Sequence, residues 1–251
     1  MRTIALVTDF GTRDPYVAAM KGVVASRCDT RIADLSHDVP PFDVWAGAWF
    51  LRAVVPYWPA GTIFVAVIDP GVGTARRILA VERDGRTFLA PDNGVLSLVA
   101  APPAVSVEND AFFLPGGSTT FHGRDRFAPV AAAIAGGTPL HELGPRADSM
   151  VMLDYVPPSY DRAAAEGTIV AVDRFGNLIT DLETARLPFA RFAARAGART
   201  IARMARAYGE GGDGAFLITG STGCVEISVA NASAAALLQL GRGDRVTIVP
   251  A

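Results

Sequence analysis

Two aspartates stand just past apolar runs: Asp9 follows Thr3–Val7, and Asp69 follows Thr62–Ile68. Each run has the length and composition of a buried strand. In open α/β sheets the ligand crevice lies at the carboxyl edge of the strands, so two carboxylates on that edge suit a binding or catalytic site. Either one alone would serve equally well as a loop cap. Asp69 opens the segment Asp69-Pro70-Gly71-Val72-Gly73-Thr74-Ala75-Arg76. The segment lacks the GK[ST] ending and the GxGxxG spacing, which argues against a nucleotide-triphosphate loop. Its glycines permit a tight turn that returns Arg76 toward Asp69, either as a plain salt bridge or as a polarised pair. His122 lies in Thr120-Phe121-His122-Gly123-Arg124-Asp125, between a loop and a helical stretch. The three histidines, His37, His122 and His141, show no HExxH or HxH spacing, so nothing points to zinc and a structural imidazole is the simple reading of any one. Ser36-His37 is not a hydrolase pair without a GxSxG elbow. Arg242-Gly243-Asp244 spells an adhesion tripeptide but reads as a strand-entry turn.

These residues need a frame, and the hydrophobic pattern supplies one. Thr3–Val7, Arg31–Leu35 and Thr62–Ile68 are strand candidates. Between them, Asp14-Pro15 starts a helix carrying Val17, Met20 and Val24 to about Arg27, with Asp14 as the cap and Pro15 in the first turn. Asp43 caps a second helix with Trp45, Ala48 and Trp49 on one face. Strand–helix–strand–helix–strand implies an α/β unit with a mostly parallel, Rossmann-like sheet. Ile78–Val81 and Thr87–Leu89, joined through Arg83-Asp84-Gly85, form an appended hairpin, and Arg126–Ala135 a further helix ending at Gly136-Gly137. The composition changes at Val156-Pro157-Pro158. This divides the chain into an N-terminal α/β domain over 1–156 and a smaller C-terminal β barrel or sandwich over 157–251. There, Thr168–Val172, Leu178–Thr180, Phe216–Thr219, Val225–Val229 and Arg245–Val249 are short strands, and Ala232–Leu238 a helix. The Ala/Arg-rich stretch Arg191–Arg206 reads as a helix or a loop cover.

Composition excludes several functions. The 251 residues are 50% hydrophobic and 19% charged, with a formal net charge of −2, which rules out a disordered chain. That balance also lacks the basic footprint of a nucleic-acid binder. The mean hydropathy of +0.29 is high, yet no apolar run approaches the ~20 residues that span a bilayer, and the first residues are too short for a signal-peptide core. Cys28 and Cys224, far apart and without CxxC spacing, read as buried free thiols in a reducing cytoplasm.

Several segments, taken in order, resemble the S-adenosyl-L-methionine hydroxide adenosyltransferase family, relatives of the fluorinases and chlorinases. They are Thr8-Asp9-Phe10-Gly11 with Asp14-Pro15-Tyr16-Val17; His37-Asp38-Val39-Pro40-Pro41-Phe42-Asp43; Asp69–Thr74; Ala90-Pro91-Asp92-Asn93-Gly94; and Thr119–Asp125. Asp173-Arg174-Phe175-Gly176-Asn177-Leu178-Ile179-Thr180 and Gly220-Ser221 with Val225-Glu226-Ile227 continue the set. The resemblance implies a homotrimer with ligand sites between the N-terminal domain of one subunit and the C-terminal domain of its neighbour. It implies an Asp–Arg–His triad on Asp69, Arg76 and His122. It places Asp9 on the ribose hydroxyls, Asp173 and Ser221 at the methionine end, and Phe175 and Asn177 on the ligand. Glu226 and the backbone near Val229 fall on the adenine side, with Phe42 and Tyr208 as aromatic faces for the base. Halogenating relatives carry tyrosine-type residues where this chain has Asp69 and His122, and fluorinases place a halide-binding serine where it has Gly123. The long fluorinase loop after Phe88-Leu89-Ala90 is absent.

The implied reaction is attack of water on C5′ of S-adenosyl-L-methionine, giving adenosine and L-methionine in the cytoplasm, with no cofactor. Arg76 would stabilise developing hydroxide, while Asp69 or His122 orients water and takes its proton. Three other readings compete: a 5′-halogenase on the same substrate, a non-catalytic sensor of adenosine or S-adenosyl-L-methionine, and a metal-dependent nucleoside hydrolase. The last lacks a DxD cluster beside Asp9.

Overall fold

The computed structural model describes residues 2–251, which fall into two compact units, one ending at Asp154 and one running Tyr155–Ala251. The first unit is a mixed seven-stranded sheet made of β1 (Thr3–Thr8), β2 (Arg31–Ser36), β3 (Ile63–Val67), β4 (Ile78–Arg83), β5 (Arg86–Pro91), β6 (Ala104–Ser106) and β7 (Arg146–Ala147). Their order is β2-β1-β3-β5-β4-β6-β7. Helix α1 (Tyr16–Arg27) crosses from β1 to β2, and α2 (Val44–Val54) from β2 to β3. Side chains alternate across the strands. Ile4, Leu6, Val65 and Val67 pack with Met20 of α1 on one face, and Ala5, Val7, Phe64 and Ala66 pack with Leu51 of α2 on the other. All five residues of β3 are buried. Two covered faces account for the high hydropathy.

The expectation of a mostly parallel sheet is corrected. β2, β1, β3 and β5 run parallel, but β4, β6 and β7 are paired antiparallel. The cause is the two-residue turn Asp84-Gly85, with φ of 50° and 69°, which folds β4 straight back on β5. β5, the second arm, takes the place beside β3. Without a crossover helix, the rest of the sheet then grows antiparallel. At α1 the expected cap also fails: Pro15 occupies the N-cap position and no side chain caps the helix, which begins at Tyr16. Asp43 does cap α2, accepting the Ala46 N–H at 3.0 Å. The helix expected over 126–135 is a π turn, Gly123–Phe127, running into α3 (Ala128–Ala135). Cys224 is buried, but Cys28 is only partly so.

The second unit contains β8 (Ser159–Tyr160), β9 (Ala165–Val172), β10 (Leu178–Glu183), β11 (Phe192–Ala196), β12 (Arg199–Ile201), β13 (Ala215–Thr219), β14 (Cys224–Val229) and β15 (Arg245–Pro250). They form one antiparallel sheet ordered β12-β11-β15-β9-β10-β14-β13, with β8 on β9. Past β12 the chain lies along β13, through Leu217 N–H to the Arg203 carbonyl at 2.8 Å and Ala205 N–H to the Leu217 carbonyl at 2.9 Å. The sheet thus curls to near closure around Ile169, Leu178, Leu217, Ile227 and Ile248. The short helix α4 (Ala234–Leu238) is capped by Ser233. The stretch 191–206, expected as helix or loop, contains the β11–β12 hairpin instead. Phe192, Ala193, Ala194 and Ala196 are buried while Arg195 faces out, so pairing with β15 overrides the helical propensity of alanine. Among the described residues, no helix is long and apolar enough to cross a membrane.

Candidate active site

β3 delivers Asp69 two residues past its end, and the loop returns Arg76 just before β4. Arg76 Nε donates to both Asp69 oxygens, at 2.9 and 3.0 Å, and its Nη2 donates to Asp69 Oδ2 as well. The same Nη2 contacts His122 Nδ1 at 2.8 Å. Both partners of the ion pair are buried, with side-chain exposures of 8% and 4%, and the guanidinium lies over the Phe127 ring at 5.7 Å. Arginine is only a donor, so Nδ1 of His122 must accept. The imidazole is therefore neutral and carries its proton on Nε2. Burial, and then the charges of Arg126 and Arg76, push its pKa down to about 4.

Two backbone features hold this cluster together. Gly73 has a φ of 80°, and a Cβ there would sit 2.6 Å from the Thr119 carbonyl oxygen. The loop carrying Arg76 therefore rests directly on the loop that leads to His122. Asp125, in the π turn, accepts the Ser118 N–H at 2.7 Å and the Arg124 Nε–H at 2.6 Å, tying that loop to the start of α3. Burial is the largest single influence and pushes its carboxyl pKa up, but the hydrogen bonds from Arg124 and Ser118 and the electrostatic pull of Arg124 and His122 together outweigh it, and the net shift is downward.

A cavity of about 370 Å³ opens in front of the cluster, with Asp9, Phe10, Tyr16, Phe42, Asp69 and His122 on its walls. Arg76 does not line it; it grips Asp69 and His122 from outside. Asp9, past the end of β1, accepts the Phe42 N–H on Oδ2 at 2.8 Å, and Phe42 itself is 71% exposed. Sequence reasoning missed the aromatic corner of this cavity. Phe10, Tyr16 and Phe121 meet edge-on, with centroids 5.1–6.1 Å apart. All three lay inside recognised segments, but an aromatic beside a strand end or in a first helical turn reads as packing.

The second unit has its own cavity, of about 810 Å³, with Asp173, Phe175, Asn177, Tyr208, Ser221 and Glu226 among its lining, next to Val229. The turn after β9 is held by Asp173, whose Oδ1 accepts the N–H groups of Phe175 and Asn177 at 2.9 Å each. Its Oδ2 accepts from Asn177 Nδ2 at 2.9 Å. Glu226, only 5% exposed, accepts the hydroxyls of Tyr208 and Ser228 on Oε1, each at 2.8 Å. Burial and that carboxylate push the Tyr208 pKa up to about 12, so the phenol remains a donor. Asn231 and Ser233 also line this cavity and were missed in the sequence. The structure thus gathers Asp9, Phe42, Asp69 and His122 in one place, with Arg76 behind them, and the seven C-terminal candidates in another.

Comparison with known proteins shows which family the chain falls in. Residues 4–144 match the S-adenosyl-L-methionine hydroxide adenosyltransferase N-terminal domain, and residues 167–247 match the C-terminal domain of the same family. The chain is 40% identical to an (R)-S-adenosyl-L-methionine hydrolase from Thermus thermophilus, covering 99% of this chain and 100% of that protein. It is 28% identical to a fluorinase from Actinoplanes sp. over 71% of each chain. The crystal structure of a conserved protein from Thermotoga maritima superposes with a TM-score of 0.90 at 32% identity, over 99% of this chain and 100% of that one. With both domain models matched in order and full-length relatives above 30% identity, the chain belongs to the S-adenosyl-L-methionine hydroxide adenosyltransferase family.

Proposed function

We propose that this protein hydrolyses S-adenosyl-L-methionine to adenosine and L-methionine by attack of water at C5′. The observation that carries the reading is the buried Asp69–Arg76–His122 cluster, two of whose members face a cavity that also contains Asp9. The sulfonium leaves as a neutral thioether, so no general acid is needed there. The oxygen–C5′ bond forms as the C5′–sulfur bond breaks, and the bonding pair goes to sulfur. As it bonds to carbon, the attacking oxygen becomes far more acidic than water, so a weakly basic carboxylate is base enough. We assign the proton to Asp69, because His122 Nδ1 is occupied by Arg76 and Nε2 already bears a proton. In this reading His122 is a donor to the nucleophile, and Arg76 positions both residues. Asp9 takes the ribose diol on its carboxylate. The reaction uses no cofactor, and no metal enters it.

The N-terminal unit, read as Rossmann-like, uses the carboxyl ends of β1 and β3 as its ligand edge. The polar set around Asp173, Ser221 and Glu226 receives the rest of the ligand, with Phe175, Asn177 and Val229 on its walls. We infer that this set comes from another copy in a homotrimer, since each cavity is open and carries a different part of the needed chemistry. The site handles a small molecule, and no nucleic acid or membrane takes part. Two thiols without a disulfide partner suit a reducing cytoplasm.

The test is turnover of S-adenosyl-L-methionine in ¹⁸O-water with products identified by mass. Label on the 5′-oxygen of adenosine is expected. Adenine with an S-ribosyl product would place attack at C1′ and remove the basis for the triad. Halide-dependent 5′-halo-5′-deoxyadenosine would favour a halogenase, and intact, tightly bound substrate a sensor.

A further inference from the structure

We infer that a small oxyanion binds behind Arg76, in a cavity of the first unit that shares no wall residue with the proposed reaction site. This cavity has a volume of about 420 Å³, with Arg76, Arg77, Ser106, Glu108, Phe113 and Arg126 among its walls. The strand order builds it. β6 pairs antiparallel with β4, Leu79 opposite Ser106, which brings Ser106 beside the strand that follows Arg76. The planar guanidinium of Arg76 has two working edges. Nε and Nη2 form the edge that grips Asp69, and Nη2 reaches His122 as well. Nη1, on the other edge, is buried with no hydrogen-bond partner among the described residues. The hydroxyl of Ser106, a residue only 3% exposed, is buried without a partner too.

Two unmatched buried polar groups from residues of one cavity point to an occupant, since each costs free energy until it meets a partner. The chemistry of the walls says which kind. Arg76 Nη1 only donates, and a serine hydroxyl can donate. Arg126 adds a guanidinium that stacks on the Phe113 ring at 5.1 Å and makes no ion pair among the described residues. Arg77 contributes less, being spent on Asp92 and the Ser149 carbonyl. Guanidinium forks match phosphate and carboxylate oxygens. Water would meet the same hydrogen bonds but leave the charge of Arg126 unanswered. Glu108, the acid on these walls, is exposed, so solvent screens its opposition. Occupation would also reach the cluster. Arg126 and Arg76 are the charges that, after burial, hold the His122 pKa at about 4 against the pull of Asp69 and Asp125. An anion offsets both charges and eases protonation of that ring.

Calorimetric titration of the full-length protein with sodium phosphate and with sodium acetate tests the inference, at an ionic strength held constant with sodium chloride. Phosphate is expected to bind. Arg126→Gln should weaken it by about ten- to a hundred-fold, the worth of a hydrogen bond to a charged group, and Ser106→Ala should weaken it less. Glu108→Gln should tighten it, because a like charge is removed from the wall. That exposed substitution decides the matter if the other two variants do not fold. The His122 ring resonances should move when phosphate is added to the wild type and stay in place in Arg126→Gln. Acetate bound instead of phosphate, with the same variant pattern, would identify a carboxylate as the ligand and uphold the site. Unchanged affinity in every folded variant, displacement of phosphate by adenosine, or no binding of either anion overturns it. Turnover of S-adenosyl-L-methionine is a separate measurement, so the proposed function stands or falls independently of this site.

Discussion

A guanidinium that donates to an aspartate and a histidine at once decides which of them can take a proton. Arg76 leaves His122 neutral, so activity should show no acid limb near the usual histidine range. Between pH about 6.5 and about 4 the unfolded chain holds a proton on this imidazole that the folded chain does not. Stability therefore falls as pH drops through that window. Melting temperatures measured across it should fall more steeply for the wild type than for His122→Gln; equal slopes would show that the imidazole is protonated in the fold. Substitution separates roles at the same scale. Asp69→Ala and His122→Ala should each lower kcat by about 10²- to 10⁴-fold with little change in S-adenosyl-L-methionine affinity, since they act on water. Asp9→Ala should instead weaken binding, measured by titration, because a diol contact persists from ground state to transition state. Unchanged turnover in both cluster variants would reduce Asp69–Arg76 to a salt bridge.

Elements matter here through where they end. β1 and β3 are neighbours with matched register, Val7 opposite Ala66 and Thr8 opposite Val67, so Asp9 and Asp69 emerge side by side at one edge. The π turn before α3 then sets His122 against the loop from β3. The contact between the two loops is backbone on glycine at Gly73 and Thr119. Gly73→Ala should cost about 1–2 kcal/mol from the left-handed backbone alone, and the added methyl must also push Thr119 away. Melting should register the first effect, and a fall in kcat larger than any rise in KM the second. Wild-type kcat in a destabilised Gly73→Ala would mean that the loops do not set the Arg76–His122 distance. Some of these elements were legible in the chain. Asp43 announced α2, and the unbroken apolar run of β3 announced a central strand. The Ala/Arg stretch 191–206 did not announce a hairpin, because its strand pairing comes from β15, about 50 residues later.

At the level of the whole molecule, each unit has its own cavity and neither holds all the candidate ligand residues. If sites are completed between copies, sedimentation should give a mass near three times the 26.3 kDa chain. Asp69→Ala and Asp173→Ala chains, inactive apart, should regain activity when co-expressed, because some sites would pair two intact units. A monomeric active enzyme, or mixed chains that stay inactive, would rule out shared sites.

Alone, the sequence determined the α/β character, the change in composition near Val156, and the residue types at the site. Apolar period, turn residues and ordered short segments are local signals, and they survive without a fold. Tertiary structure decided what depends on neighbours distant in the chain. It showed that the hairpin 78–91 inserts its second arm beside β3 and so makes the sheet mixed. It also turned Phe10, Tyr16 and Phe121 into one wall. The same holds for protonation: His122 is neutral because burial and an arginine 46 residues away both disfavour its charge. No spacing rule encodes that, since desolvation exists only once the chain has closed around the ring.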